Sequence, residues 1–444
     1  MLLSIIKNTQ LLKIYDTIKT SFWFTPCLIL VCTLCACTLF LCIDLYSGFY
    51  RIGWLHFLYH SDADIIRTLL TTIAGSVMTV VSITFSITIV ALTNASSQFG
   101  PRLIRNFMED VSTQIVLGVF ISLFVYCLIL TRMTDHFANQ SFLPGLTIAG
   151  AALMTLFGIL LLIYFIHHVA QSLQSDHIID NVYSELQSSI RKIFDQQKAK
   201  ESCESQDINE PTAGTLPVSL KSPYCGYIQA INYDQLTEWM SKLDGHIEVI
   251  VAPGDFVVSR KTTMLCNVKT LSTTDETNLH NCFTLGSKRT PIQDPEFAVD
   301  QLVEIALRAL SPGINDPYSA IACVDKLTAM ICDLTQETFP KGIVFDNQGN
   351  QRLNYKVTSF EGLANTAYDQ IRQYSQNCLA VSLRQLEGLV CIAEQANEAS
   401  HWTFVRHQKH MIEHGLKQQS LIDLDREKIN SRLKPLNTLL NRGD

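Results

Sequence analysis

Charged residues are absent from four long stretches of this 444-residue sequence. The stretches are Phe22–Ile43, Thr68–Pro101, Val111–Thr131 and Phe137–Ile166. A run of about 20 uncharged, mostly apolar residues is long enough to cross the ~30 Å hydrocarbon layer of a membrane as a helix. The missing charge therefore excludes a wholly water-soluble chain. It predicts four spans, at about 22–43, 69–91, 111–131 and 143–166.

The same absence limits the mechanism. Proton relays and ion-coupled transporters usually keep an ionisable side chain near the middle of the membrane. None of the four stretches contains Asp, Glu, Lys or Arg, which argues against a carboxylate-driven pump. Passive conduction, with hydroxyl and carbonyl groups as ligands, is the transport mechanism that this composition favours.

An excess of basic residues is missing as well. The chain has 34 Lys and Arg against 41 Asp and Glu, a net charge of −7. Residues 1–166 hold eight basic and seven acidic residues, so the remainder holds 26 basic and 34 acidic ones. Nucleic-acid binding depends on Lys and Arg displacing counterions. The acidic remainder therefore excludes a nucleic-acid partner.

Enzyme signatures and a disulfide framework are also lacking. There is no P-loop, G-x-G-x-x-G, G-x-S-x-G or H-E-x-x-H sequence. Of fourteen cysteines, five lie in the first apolar stretch and the others are widely spaced. Cysteines in that setting behave as small buried apolar residues. The sequence favours a protein that is not an enzyme, and it predicts no cofactor.

Basic residues in the short flanks of the spans predict the orientation. The side of the N-terminus carries Lys7, Lys13, Lys19, Arg102 and Arg105, and the other side carries Arg51, Arg67 and Arg132. This excess places both termini in the cytoplasm, together with everything after the fourth span.

Changes in composition predict the domains and the fold class. We expect a membrane α-helical domain of four transmembrane helices, followed by a cytoplasmic α+β domain with a small β-rich module and a helical C-terminal region. The boundaries are a cytoplasmic segment at 1–21, the membrane domain at 22–166, a helix leaving the membrane at 167–196, a polar linker at 197–216, a small α/β module at 217–290 and a mainly helical domain at 291–444.

The second span carries a stripe of hydroxyl residues. Thr68, Thr72, Ser76, Thr79, Ser82, Ser86 and Thr93 fall within an arc of roughly 120° at 100° per residue. Small hydroxyl residues let membrane helices pack closely and hydrogen-bond across the contact. Alternatively the stripe lines a hydrated path, continued by Asn94 and Gln98. The candidate path-lining residues are Thr72, Ser76, Thr79, Ser82, Ser86, Asn94 and Gln98.

Two histidine groups are weak candidates for metal ligands. His56 and His60 are four residues apart, and His407, His410 and His414 have the i, i+3, i+7 spacing of one helix face. Asp62 and Asp64 lie close to the first group, whereas no supporting pattern of Cys or Asp accompanies the second. We therefore interpret both as polar helix faces and predict no metal site.

Several phrases resemble one bacterial family of predicted membrane proteins, catalogued as domain of unknown function twenty-two fifty-four. They are Ser86-Ile-Thr-Ile-Val-Ala-Leu, Ala95-Ser-Ser-Gln-Phe-Gly-Pro-Arg, Gln293-Asp-Pro-Glu-Phe, Leu310-Ser-Pro-Gly-Ile-Asn-Asp-Pro and Tyr368-Asp-Gln-Ile-Arg-Gln. The resemblance covers nearly the whole chain and implies a location in the bacterial inner membrane. It implies no reaction, because the family has no established activity. The turn at Ser259-Arg260-Lys261 departs from the family, which usually places a glycine there.

Polar residues within and near these phrases form a candidate cytoplasmic hub or ligand site: Arg289, Asp294, Glu296, Asn315, Asp316, Asp369 and Arg372. Asp316 precedes a proline and fits an N-cap, whose carboxylate hydrogen-bonds to free N–H groups of the first turn. The same helix end could instead face an anionic ligand. An ion-paired hub joining the two soluble parts is the interpretation that we favour.

Three functions remain open at this point. The first is a homo-oligomeric passive channel or transport protein, with the second span lining the path for a small ion or ligand and the cytoplasmic domain regulating it. The second is a membrane-anchored sensor or scaffold whose spans only anchor and oligomerise. The third is a membrane-tethered enzyme that uses the region from Arg289 to Asp316.

Overall fold

The chain folds as two units, which meet in sequence between His177 and Ile178. The computed structural model describes residues 23–47, 63–100, 110–138, 144–172, 174–201, 218–268, 271–346 and 348–441. The fold class predicted from the sequence is confirmed: four apolar helices precede a mixed α/β region and a helical C-terminal region.

The first unit consists of four helices, each long and apolar enough to cross a membrane. They are α1 (Phe24–Ser47), α2 (Ala63–Phe99), α3 (Val111–Ala138) and α4 (Gly145–Ser172). All four extend past the C-terminal ends predicted for the spans. With 37 residues, α2 is about 55 Å long, well beyond the ~30 Å of hydrocarbon. The predicted starts at 22 and 143 lie outside the described residues.

Helix α3 is the centre of this unit. Within its most apolar window 67% of the residues are buried, against 11–22% for the other three helices. Its side chains Val116, Leu123 and Leu130 are almost fully buried. Gly118 allows α1 to approach, because a Cβ atom there would lie 2.9 Å from the Cα of Pro26.

Two sheets form the β-rich part of the second unit. A five-stranded sheet has the order β1-β5-β3-β8-β7, in which β3 and β8 are parallel and the other neighbours antiparallel. A three-stranded antiparallel sheet has the order β4-β2-β6. The strands are β1 (Val218–Lys221), β2 (Gly226–Ile231), β3 (His246–Val249), β4 (Phe256–Val257), β5 (Thr262–Asn267), β6 (Phe283–Gly286), β7 (Ile343–Phe345) and β8 (Gln351–Tyr355). The larger sheet thus takes strands from both sides of the boundary predicted at 290.

Nine α-helices follow α4 within the described ranges. They are α5 (Ser175–Glu201), α6 (Tyr233–Lys242), α7 (Thr273–His280), α8 (Pro295–Ala309), α9 (Pro317–Leu334), α10 (Phe360–Tyr374), α11 (Leu379–Gln395), α12 (Ala399–Lys417) and α13 (Asp423–Leu440). In the core of the helical region, the buried Tyr368 hydroxyl lies 2.6 Å from that of Thr328. Gly388 leaves room for this pair, because a Cβ there would be 2.3 Å from the Tyr368 oxygen.

The turn at Ser259-Arg260-Lys261, which departs from the family, contains a residue with positive φ. Arg260 has φ = +68°, in the left-handed region that favours glycine. The turn is closed by a hydrogen bond from the Lys261 N–H to the Val258 carbonyl at 3.1 Å, and the Arg260 N–H donates to the Ser222 carbonyl at 2.8 Å. The backbone therefore holds an L-residue in a strained conformation.

Candidate functional site

The hydroxyl residues of α2 face away from the other three helices. Ile66, Leu70, Ala74 and Val77 are buried on one side of α2, where the helix contacts α3. Every predicted path-lining residue is exposed: Thr72, Ser76, Thr79, Ser82, Ser86, Asn94 and Gln98. At 100° per residue, the stripe is centred roughly opposite the buried side.

Most of these hydroxyls donate to their own helix. Thr72 donates to the Thr68 carbonyl at 2.7 Å, Ser76 to Thr72 at 2.8 Å, and Thr79 to Gly75 at 3.1 Å. The protons of these three hydroxyls are therefore satisfied inside α2, while each oxygen can still accept a hydrogen bond from outside. Gly75 lies on the same face, and a Cβ there would meet no atom within 4 Å. The result is a row of neutral hydrogen-bond acceptors on a face that also carries the exposed apolar side chains of Ile83 and Val90.

The exposed face of α4 has a different chemistry. Leu153, Phe157, Leu160 and Ile163 on this helix are each more than half exposed, and they are aliphatic or aromatic. Such a surface suits lipid tails, because it presents no polar atom to hydrocarbon. The exposed surface of α2 differs in its row of hydroxyl groups, and it also carries large apolar side chains such as Met78, Phe85 and Val90.

Asp44, which sequence reasoning treated only as the end of a span, caps α4. Its carboxylate accepts hydrogen bonds from the Leu146 N–H at 3.1 Å, the Thr147 N–H at 3.0 Å and the Thr147 hydroxyl at 2.6 Å. Asp44 is only 5% exposed. The capped groups lie more than 100 residues away in the chain, so no local sequence signal could reveal this contact.

Asp110 has the corresponding role at the opposite end of the four helices. It caps α3, accepting from the Thr113 N–H at 3.2 Å and from the Thr113 hydroxyl at 2.5 Å. Its carboxylate also lies 2.9 Å from Nε2 of His168, near the end of α4. Sequence reasoning missed this residue, although Asp followed by Val-Ser-Thr has the pattern of an N-cap. Asp44 and Asp110 together fix both ends of α4.

Arg289 is the centre of an ion-paired cluster in the second unit. Its guanidinium holds Asp294 with two hydrogen bonds, at 2.8 and 3.1 Å, and Asp300 with one at 2.8 Å. Asp294 is 3% exposed and also caps α8 through the Phe297 N–H at 3.0 Å. Arg289 follows β6, whereas both aspartates belong to the α8 region. The cluster therefore ties the β-rich part to the helical part.

Glu296 lies beside this cluster. Burial raises the pKa of its carboxyl, and the neighbouring charges of Asp294 and Asp300 raise it further against the opposing effect of Arg289. An ideal Cβ on Gly362 would lie 3.5 Å from Oε1 of Glu296. The glutamate thus approaches the first turn of α10.

The other predicted hub residues form separate groups of contacts. The carboxylate of Asp316 accepts from the Tyr318 and Ser319 N–H groups at 3.1 and 3.2 Å. It thus caps α9, after an exposed loop in which Asn315 has φ = +50°. Asp369 and Arg372 pair on α10 at 3.1 Å, and Gln408 of α12 joins both side chains. The structure therefore brings Arg289, Asp294 and Glu296 together and gives the other four residues local roles.

The histidines do not form a metal centre within the described ranges. No three His, Cys, Asp or Glu side chains there are grouped so as to hold a metal ion. His407, His410 and His414 lie exposed along α12, as a polar helix face would. His56 and His60 lie outside the described residues.

Comparison with known proteins adds a family match. The family model described as "Predicted membrane protein (DUF2254)" matches residues 19–390. Uncharacterised proteins of Mycobacterium tuberculosis strain CDC 1551 and of Mycobacterium bovis are each 28% identical to this chain over 367 residues, which is 81% of this chain and 70% of the relative. No solved structure matches the chain significantly. The matched range includes α1–α4 and the Arg289 cluster, but not His407, His410 or His414.

Proposed function

This chain belongs to the predicted membrane protein family DUF2254, and from that premise we propose that several copies assemble in the bacterial inner membrane as a passive channel lined by α2. Both termini and the second unit face the cytoplasm in this proposal, as the excess of Lys and Arg in the short flanks favours. The second unit then regulates the path.

One observation supports the proposal most: the hydroxyl face of α2 is turned away from the protomer's own helices. Oxygen atoms that still accept hydrogen bonds are poorly placed against lipid tails, which offer no donors. Copies arranged around an axis would turn these faces toward one another and toward water. The stripe from Thr68 to Thr93 is about 37 Å long, so it extends through the whole ~30 Å of hydrocarbon.

The chemistry of this face indicates what would pass. The lining offers hydroxyl and amide groups and no charge, so it can replace part of a solute's hydration shell without binding an ion tightly. Small neutral solutes and weakly held monovalent ions fit such a path. No ionisable group on the face couples movement to a proton gradient.

The scaffold interpretation rests on the same face. Gly75, Ser76 and Thr79 are small, and small residues let membrane helices pack in a dry contact. Copies would then associate through α2 with no water between them. The two functions therefore predict the same assembly but a different hydration of its centre.

Flux through reconstituted vesicles tests the proposal. Wild-type protein should carry glycerol or a monovalent cation, measured by vesicle swelling and by dye quenching. Replacing Thr72, Thr79 and Ser82 by Val, Val and Ala removes the hydroxyls while nearly keeping the volume, and should reduce flux about tenfold or more. Thr155→Val on α4 is the control, because that hydroxyl also bonds within its helix, to the Ala151 carbonyl at 2.7 Å. Wild-type vesicles as tight as empty ones would overturn the channel and leave the scaffold.

A further inference from the structure

The second unit contains a cavity of about 130 Å³ between α5, the larger sheet and the start of α8. Its walls include Phe194 of α5, Tyr233 of α6, Tyr355 of β8 and Pro253. An apolar cavity of about 150 Å³ can hold a benzene ring. The space is therefore about the size of one small ring, and because it is partly open to solvent, a short substituent can project from it.

Four of the fourteen residues that line the cavity are aromatic. The rings of Tyr233 and Tyr355 lie 4.2 Å apart between centroids, and those of Phe194 and Phe339 meet edge to face at 5.2 Å. Such groups offer both ring faces and ring edges, which are the surfaces that aromatic molecules prefer in offset or edge contacts. A flat, unsaturated ligand fits these walls better than a sugar or another polyol would.

Charge selects among aromatic ligands. Lys356 is the only charged residue that lines the cavity among the described residues. Its ammonium forms an ion pair with the Asp255 carboxylate at 3.8 Å. Because that distance is too long for a hydrogen bond, its N–H donors can still bind a second anion. Thr358 also lines the cavity, just before the positive N-terminal end of α10. Both features favour an anion at this end of the cavity.

We propose that this cavity binds a small aromatic carboxylate, with the ring among Tyr233, Tyr355 and Phe339 and the carboxylate at Lys356. Mostly apolar walls with a few well-placed polar groups are typical of small-molecule sites. The inference goes beyond the channel, because binding is measured without any flux. Phe194 belongs to α5, the next helix in the chain after α4, so an occupant contacts the segment that leads to the membrane helices.

Calorimetry on the full-length protein in detergent tests this site. Benzoate is the probe, and benzylamine and benzyl alcohol are controls with the same ring and a positive or no charge. Benzoate should bind about tenfold or more tightly than either control, as one charge-assisted hydrogen bond allows. Lys356→Gln should weaken benzoate by a similar factor and leave benzyl alcohol unchanged, while Lys356→Arg should retain benzoate.

The matched control is Lys261→Gln, which removes a lysine from an exposed turn and should leave benzoate binding unchanged. The inference is overturned if none of the three probes releases heat, if benzylamine binds as tightly as benzoate, or if Lys356→Gln keeps the affinity. Equal melting temperatures of the variants verify that they are folded. If reconstituted protein carries flux but the purified protein binds no benzoate, the proposed benzoate site is refuted and the channel proposal is not.

Discussion

The Asp44 carboxylate, at the end of α1, accepts a 2.6 Å hydrogen bond from the Thr147 hydroxyl in the first turn of α4. It also accepts from the Thr147 N–H. One side chain thus joins two helices and satisfies N–H groups that would otherwise be left without partners at a helix start. Because hydrogen bonds are directional, this contact specifies that the end of α1 lies beside the start of α4, whereas apolar packing is non-directional.

A double-mutant cycle measures the contact between these two residues. Asp44→Asn and Thr147→Val should each lower the melting temperature of the detergent-purified protein. The double variant should lose less than the sum, with a coupling of about 1 kcal/mol or more. Strict additivity would mean that the two side chains do not interact.

The stability of the Arg289 cluster should depend on the planar guanidinium group of Arg289 and not only on its charge. Arg289→Lys keeps the charge but cannot hold both oxygens of Asp294 and also reach Asp300. We expect it to lower the free energy of unfolding by about 2 kcal/mol, seen in thermal unfolding. Arg308→Lys is the matched control, because its pair with Glu304 is more exposed and should contribute at most about 0.5 kcal/mol. Equal effects of the two changes would refute the conclusion that the Arg289 cluster stabilises the contact between the β-rich part and the helical part.

Glu296 should make stability depend on pH. Burial first, and then Asp294 and Asp300, raise the pKa of its carboxyl in the folded protein. The native state therefore keeps this proton to higher pH than the unfolded chain, so stability decreases as pH rises from the ordinary value of about 4.3 through the raised pKa. Glu296→Gln should remove this part of the slope, which melting curves between about pH 4 and pH 7 can detect. Parallel pH profiles of wild type and variant would contradict this assignment.

The turn at Arg260 should prefer glycine. Arg260→Gly relieves a left-handed conformation that costs an L-residue roughly 1–2 kcal/mol, against a smaller entropic cost of glycine in the unfolded chain. We expect a net gain of about 0.5–1 kcal/mol in stability. Arg260→Ala is the control and should give no gain, because alanine keeps the Cβ. A gain with alanine would show that the arginine side chain, and not the backbone, is unfavourable.

Much of this molecule could be predicted from the sequence where the signal is local. The absence of charge predicted four membrane helices, and the family resemblance drawn from short phrases is confirmed by a match over residues 19–390. Asp316 before Pro317 predicted the N-cap that the structure contains. These features depend on residues that are close together in the sequence, so they can be predicted from the sequence alone.

Contacts between distant segments could not be predicted in this way. The parallel pairing of β3 with β8 places Ile247 beside Leu353. The sequence of neither strand predicts which strand it pairs with. Asp369 and Arg372 of α10 share a family phrase, but their contacts with Gln408 of α12 join positions 39 and 36 residues apart, and no local pattern indicates them. The orientation of the hydroxyl face of α2 was likewise open, since helical periodicity gives a stripe but not the surface that it faces.

Thiol accessibility tests the central proposal most directly. Thr79→Cys, on the hydroxyl face of α2, and Ile163→Cys, on the aliphatic face of α4, are each reconstituted and exposed to a charged, membrane-impermeant thiol reagent, with wild type correcting for native cysteines. A water-filled path predicts that Cys at 79 reacts about tenfold or more faster than Cys at 163, because thiolates form in water and not in hydrocarbon. Equal, slow reaction at both positions would contradict a path lined by α2.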